Sequence, residues 1–231
     1  DFCNNELKPT VVERNRKNEF DQDLYPKFGS LGVLGQTVKT HGGSGTSNLA
    51  YGLVAYEFEK IDSSYRSSIS VQSSLVIHPI NEFGSQEQKD KYLPPLIKGE
   101  KIGCFGLTES EAGSDPTSMK TSFKKTKDGY IINGSKNWIT NAPIADIFII
   151  WAIEENKDHK SIKGFIIEKN TEGLNTSTIE NKTSLKISPT GQIILNNVFV
   201  PNNLCLENTE GWKSVFSCLN KARFGISWGV L

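Results

Sequence analysis

The 231-residue sequence predicts an α+β fold in which a helical N-terminal part is followed by an antiparallel β-barrel or sandwich. Three observations predict it. Apolar residues recur at helical spacing before about residue 100, short β-rich runs separated by turn residues come next, and the β texture ends at Gly211, where a helix begins. The corresponding divisions are residues 1–100, 101–210 and 211–231.

Each element has its own signal. In SNLAYGLVAYEFEKI (47–61), Leu49, Ala50, Leu53, Val54, Tyr56, Phe58 and Ile61 make the stretch apolar nearly all round, which predicts a buried helix. Gly42, Gly43 and Gly45 mark the loop before it, with Thr46 or Ser47 placed to cap it. In GSQEQKDKYLPPLIKGE (84–100), Ser85 and Gln88 form a capping box, and Pro94 and Pro95 are expected to break or kink the helix at its far end. The β-rich runs are KIGCFGLT, YIINGSKNWIT, DIFIIWAI, KGFIIEK, TSLKIS and QIILNNVFV, punctuated by Gly129, Asn133-Gly134, Gly164, Gly173, Pro189 and Gly191. WKSVFSCLNKARFGISWGVL then reads as a helix whose Phe224, Ile226, Trp228, Val230 and Leu231 would be exposed unless more chain covers them. With Asp1 rather than Met at the start, both ends are expected to be cut.

Lysine plus arginine (26) equals aspartate plus glutamate (26), which argues against a broad nucleic-acid or anionic-membrane footprint and for a small molecule or a protein as partner. Cys3, Cys104, Cys205 and Cys218 lie too far apart for a zinc site or redox dithiol and are expected to be reduced, buried thiols. No apolar run approaches the ~20 residues of a membrane span, and no signal-type segment opens the chain. His78, before Pro79, reads as structural; His41 and His159 share no ligand spacing, so no metal site is expected.

Chemistry concentrates in two stretches. CFGLTESEAGSDPTS (104–118) leaves a strand-like run with Thr108, Ser110 and Ser114 loosened by Gly106 and Gly113, offering hydroxyls and bare N–H groups to a phosphate or polarised heterocycle. Glu109, Glu111 and Asp115 argue against a naked polyphosphate unless they point outward, and the spacing alone also fits a solvated, hydroxyl-capped connection. In GSKNWITNAP (134–143), alternation puts Trp138 and Thr140 on one strand face with Ile139 between them. A ring beside a donor suits a flat aromatic cofactor, although a core tryptophan with a cross-strand threonine is the commoner use of both.

In combination, CFGLTESEAGSDPTSMKT, YIINGSKNWITNAPIADIFIIWA and VFVP resemble the ordered signatures of the acyl-CoA dehydrogenase family over essentially the whole chain. IDSSYRSSISVQSSLVIHPI, GSQEQKDKYLP and CLNKARFGISWGVL are most similar to its glutaryl-CoA dehydrogenase branch. The resemblance implies an N-terminal helical domain, a middle β domain and a C-terminal four-helix domain, of which this chain holds the first two and only the beginning of the third. It implies FAD as cofactor, contacted by Phe105, Gly106, Leu107, Thr108, Glu109, Gly113 and Ser114 and by Trp138, Ile139 and Thr140, with the acids of the loop turned to solvent. Many relatives carry a proline after the glutamate where this loop reads TESEAGSD, a difference that touches only local loop geometry.

The catalytic carboxylate of the family falls beyond Leu231 in this register, so no residue here is assigned as catalytic. Arg66 stands in an otherwise uncharged segment and suits a bidentate contact to a carboxylate, the alternative being an exposed surface arginine. By resemblance, Arg66 and Ser67, with Glu59 nearby, bind the far carboxylate of a glutaryl chain. Ser114 lies near the pyrophosphate or the thioester end, and Phe216, Leu219, Asn220 and Arg223 line the acyl-CoA channel or pack the start of a helix. The resemblance further implies oxidative decarboxylation of glutaryl-CoA to crotonyl-CoA, as in lysine and tryptophan degradation. Electron transfer to an electron-transfer flavoprotein, a homotetramer, and a mitochondrial-matrix or bacterial cytoplasmic location go with it. Two rival readings are a short-chain acyl-CoA dehydrogenase without decarboxylation and a non-catalytic remnant that binds acyl-CoA or a protein.

Overall fold

The computed structural model describes residues 1–157 and 161–231; His159 lies outside the described residues. Helices fill the first hundred residues: α1 (Val11–Lys17), α2 (Leu24–Ser30), α3 (Asn48–Glu59), α4 (Ser63–Ser70), α5 (His78–Phe83) and α6 (Gln86–Ile97). Ser47 caps α3, its hydroxyl accepting from the Ala50 N–H at 3.2 Å. Ser85 and Gln88 form the expected capping box on α6. Pro94 and Pro95 do not break α6. They sit in its last turn; their missing N–H groups leave the Asp90 and Lys91 carbonyls without i+4 donors, but the helix continues because the Pro94 carbonyl accepts from the Lys98 N–H and that of Pro95 from Glu100 and Lys101.

Helix α3 departs from expectation in one respect. Tyr51, Gly52, Ala55 and Phe58 are buried, but Leu49 and Leu53 are about half exposed, so the helix presents an uncovered apolar face. Between α4 and α5 the chain stays helical while widening to a π-helical stretch, Val71–Ile77. Pro79 follows it after one intervening residue, His78; it supplies no N–H and its ring crowds the carbonyl four residues back, and the widened turns accommodate both.

Seven strands form one curled sheet: β1 (Gly103–Gly106), β2 (Ser122–Lys125), β3 (Gly129–Thr140), β4 (Ile147–Glu154), β5 (Ile162–Glu168), β6 (Leu174–Thr178) and β7 (Thr190–Pro201). One edge of β4 pairs in parallel with β1 and then with β2, and its other edge pairs antiparallel with β5; β2–β3–β7–β6 continue antiparallel. Strand β4 separates two cores. Ile147, Ile149 and Trp151 pack with the helices, and Phe148, Ile150 and Ala152 pack inside the curl with Phe123, Phe165, Ile193 and Val198. Burial on both faces is why IFIIWA reads as a continuous apolar run instead of an alternating one.

Several strand-level expectations fail; Gly164 lies inside β5 and Gly191 inside β7, neither of them between strands. Asn133-Gly134 is no turn: β3 runs through it as a bulge, with Gly134 at φ +146° and Thr121 so close that an added Cβ would clash. TSLKIS is irregular: Leu185 within it, at φ 50°, and Asn181 just before it have positive φ, which an extended run excludes. Strands β2 and β6 gave no clear signal, since SFKK and LNTST are largely polar and mostly exposed. The sheet is followed by α7 (Trp212–Gly229), which packs on α3 and α4. Phe224, Ile226, Val230 and Leu231 are exposed as expected, but Trp228 is not: it lies half-buried over Gly52. Cys104, Cys205 and Cys218 are buried free thiols and Cys3 is half-buried.

Candidate functional site

Four parts of the chain meet at an open recess of about 150 Å³. Its walls are Val71 and Leu75 from the π-helical stretch, Phe105, Leu107 and Thr108 at the end of β1, Trp138, Ile139 and Thr140 at the end of β3, and Leu219 from α7. The lining is apolar apart from the Thr108 and Thr140 hydroxyls, neither of which has a protein hydrogen-bond partner among the described residues. A second bulge in β3, between Lys136 and Ile139, puts Trp138 at φ +60° and leaves its side chain 59% exposed. Left-handed backbone at a bulky non-glycine residue costs on the order of 1–3 kcal/mol. Here the bulge breaks the simple alternation expected of the strand, and Trp138, Ile139 and Thr140 all border the recess. A flat heteroaromatic group with acceptors at its edge fits a wall of this composition.

The 107–119 loop divides its residues differently from expectation. Gly113, Ser114, Glu111 and Asp115 are exposed, and Gly106 is buried beneath the wall. Glu109 does not turn to solvent. It is buried, with its carboxylate accepting from the Lys120 N–H at 2.7 Å and the Thr121 N–H at 3.0 Å and pairing with the Lys136 ammonium at 2.8 Å. Burial alone would raise its pKa, but the Lys136 charge and these hydrogen bonds outweigh that and hold the carboxyl below the usual range. It therefore supports the wall from behind and has no open contact to offer a ligand.

Arg66 and Glu59 form a second cluster. Arg66 is not a surface residue: it is 9% exposed, and its Nε donates to Glu59 Oε2 at 2.6 Å. Ser63 Oγ donates to the other oxygen of Glu59. The Nη1 and Nη2 atoms of Arg66 have no protein partner among the described residues. Half-buried Ser67 lies one turn before Val71 on the same helical face, and Val71 and Leu75 continue that stripe into the recess. Sequence reading did not single out Val71 and Leu75; the four-residue spacing Ser67, Val71, Leu75 was the signal that could have found them.

Of the α7 residues, only Leu219 borders the recess. Phe216, Asn220 and Arg223 are exposed, and Arg223 Nη1 donates to Asn220 Oδ1 at 3.1 Å. His78 is structural: its Nε2 is 3.3 Å from Ser217 Oγ, and burial, aided by the Lys221 charge, lowers its pKa to about 4. His41 pairs with Asp90 at 2.8 Å. Among the described residues no cluster of three or more His, Cys, Asp or Glu could hold a metal, and no helix is long and apolar enough to cross a membrane.

Comparison with known proteins covers the same ground. Residues 1–100 match the acyl-CoA dehydrogenase N-terminal domain and residues 104–198 its middle domain. A short-chain-specific acyl-CoA dehydrogenase of Clostridium acetobutylicum is 36% identical over 98% of this chain and 61% of its own. A glutaryl-CoA dehydrogenase of Mycobacterium smegmatis, solved in complex with FADH2, is 41% identical with a TM-score of 0.95, over 99% of this chain and 58% of its own. A structure described as an electron transferring flavoprotein of Acidaminococcus fermentans is 35% identical with a TM-score of 0.92, over 99% of this chain and 61% of its own. The chain thus spans about three fifths of the length of these relatives. Both domain matches and the identities over nearly all of its residues place the chain in the acyl-CoA dehydrogenase family.

Proposed function

We propose that this chain supplies the flavin-facing and acyl-facing part of an FAD-dependent glutaryl-CoA dehydrogenase, which oxidises and decarboxylates glutaryl-CoA to crotonyl-CoA. The observation that carries the substrate assignment is Arg66: buried, anchored through Nε, and left with two N–H-bearing nitrogens free, next to a helical stripe that leads into the recess. A carboxylate drawn out of water needs a matched cation, and a guanidinium held in place offers one in forked geometry.

FAD fits the recess on this structure's own terms, since an exposed tryptophan and two unpartnered hydroxyls stand at one apolar wall. About 150 Å³ is too little for a whole dinucleotide, so the recess would take an edge of the flavin ring. When bound, FAD accepts the hydride from the acyl chain. Thr108 and Thr140 would donate to its polar edge, Trp138 would flank it, and Val71, Leu75 and Leu219 would keep water from the reacting carbons. No residue of this chain is assigned the proton abstraction. Transfer of electrons to an electron-transfer flavoprotein and assembly as a homotetramer belong to the same reading.

One observation favours a second reading. Glu59 already balances Arg66, so the pair can serve as a structural link between α3 and α4 in an enzyme for uncharged short acyl chains. The similarity to a short-chain-specific relative agrees with it. Assay of the full-length protein with glutaryl-CoA and butyryl-CoA separates them. Preference for glutaryl-CoA with release of CO2 is the expected result; preference for butyryl-CoA with no CO2 from glutaryl-CoA selects the second reading.

A further inference from the structure

Behind the recess, the Lys136 side chain is fully buried and touches both segments that carry the recess threonines. Its ammonium donates to the Leu107 carbonyl at 3.1 Å and to Glu109 Oε1 at 2.8 Å, and Met119 Sδ lies 3.8 Å away. Around it the segments are stitched further: the Asn137 N–H donates to the Thr108 carbonyl at 2.9 Å, and Asn137 Nδ2 donates to Ser110 Oγ at 3.2 Å. Two residues on from Lys136 the strand bulges and turns Trp138 outward. A buried ion pair is a poor source of net stability, because desolvating two charges offsets most of their attraction, and apolar partners of similar volume do as well. The sheet pairing of β3 with β7 already holds the strand. What the pair adds is a fixed relation between residues 107–109 and 136–140.

We infer that Lys136 and Glu109 are positioning residues: their buried pair sets Thr108 and Thr140 at one spacing and so presents both hydroxyls to the flavin edge. This rests on the flavin reading above and deepens it, since neither residue touches the recess. The other charged groups of the segment packed against Lys136 are Glu111, Asp115 and Lys120, all exposed. Glu109 is its one carboxylate partner, and the side chains closing over Gly106 beside it are Ile150 and Ile193. Burial lowers the Lys136 pKa to about 8 against the opposing pull of Glu109.

The test compares the full-length protein with its Lys136→Met/Glu109→Gln variant, which removes both charges and keeps the side-chain shape, with one carbonyl oxygen left for either the Lys120 or the Thr121 N–H. Three quantities are read: the melting temperature without flavin, the FAD dissociation constant, and the absorption spectrum of bound FAD. The expected result is a folded variant with a modestly lowered melting temperature, FAD binding weaker by about tenfold or more, and a shifted flavin band. Unchanged affinity and spectrum in a folded variant overturn the inference. Should the variant not fold, titration of the wild type decides. Its FAD dissociation constant should be flat below about pH 8 and rise above it as Lys136 loses its proton, whereas a flat profile from about pH 6.5 to about 9.5 overturns the inference. Wild-type protein that binds no FAD at all sinks the flavin reading itself; wild-type binding with an unaffected variant sinks only the role given to the pair.

Discussion

Thr140 closes β3 with a hydroxyl that no protein group satisfies among the described residues, near a tryptophan held at a left-handed backbone angle. If that hydroxyl donates to a buried acceptor on the flavin, Thr140→Val should weaken FAD binding by about 1–3 kcal/mol and shift the flavin absorbance, at unchanged fold. Equilibrium binding and the visible spectrum check this; identical values in the folded variant would count against the contact. Residue identity was the legible part of this site. Thr108, Trp138 and Thr140 stood out as a hydroxyl, a ring and a hydroxyl in two separate stretches, and they do meet. The environment of Glu109 was not legible. Its partner Lys136 is 27 positions away, and nothing in TESEAGSD marks one of three acids as buried.

Elements were readable where the signal was local and lost where it depended on a neighbour. The Ser85 and Gln88 box needs only four consecutive residues and appears as expected. The half-exposed face of α3 could not be read, because whether Leu49 and Leu53 are covered depends on what lies across from them. Packing of α3 on α7 also gives a prediction. Gly52 sits where an added Cβ would lie 2.1 Å from the Trp228 ring. In an exposed helix interior, glycine to alanine gains roughly 0.8–1 kcal/mol from propensity. At this position the clash should reverse the sign, and Gly52→Ala should cost about 1–3 kcal/mol. Thermal unfolding of the variant measures it, and a raised melting temperature would show that α7 does not pack on α3 in this register.

For the molecule as a whole, the α-then-β order was legible from the change of period near residue 100. The curl of the sheet, which lets β1 and β2 share one edge of β4, was not, since register between distant strands leaves no local trace. Stability should carry a mark of the buried His78. Its folded pKa of about 4 lies below the ordinary 6.5, so the unfolded chain binds the proton first as the medium acidifies. The stabilisation is fully present above about pH 6.5 and is lost as pH falls from there towards 4. Melting temperatures recorded from about pH 7 down to about 4.5 should fall less steeply in a His78→Gln variant than in the wild type, and parallel slopes would assign the loss to other groups.

In the proposed function the two halves of the chain act together: Arg66 on the helical part would select an acyl group whose hydride passes to a flavin at the recess. Removing Arg66 leaves a substrate carboxylate without its cation in a partly dry pocket and also leaves Glu59 unbalanced. An uncharged acyl chain feels only the second effect. The most direct measurement is kcat/KM of full-length wild type and Arg66→Gln for glutaryl-CoA and butyryl-CoA side by side. Glutaryl-CoA should lose about two or more powers of ten, a barrier change of roughly 3 kcal/mol, and butyryl-CoA much less. An equal fall for both substrates in the folded variant would contradict the claim and leave Arg66 as a strut between two helices.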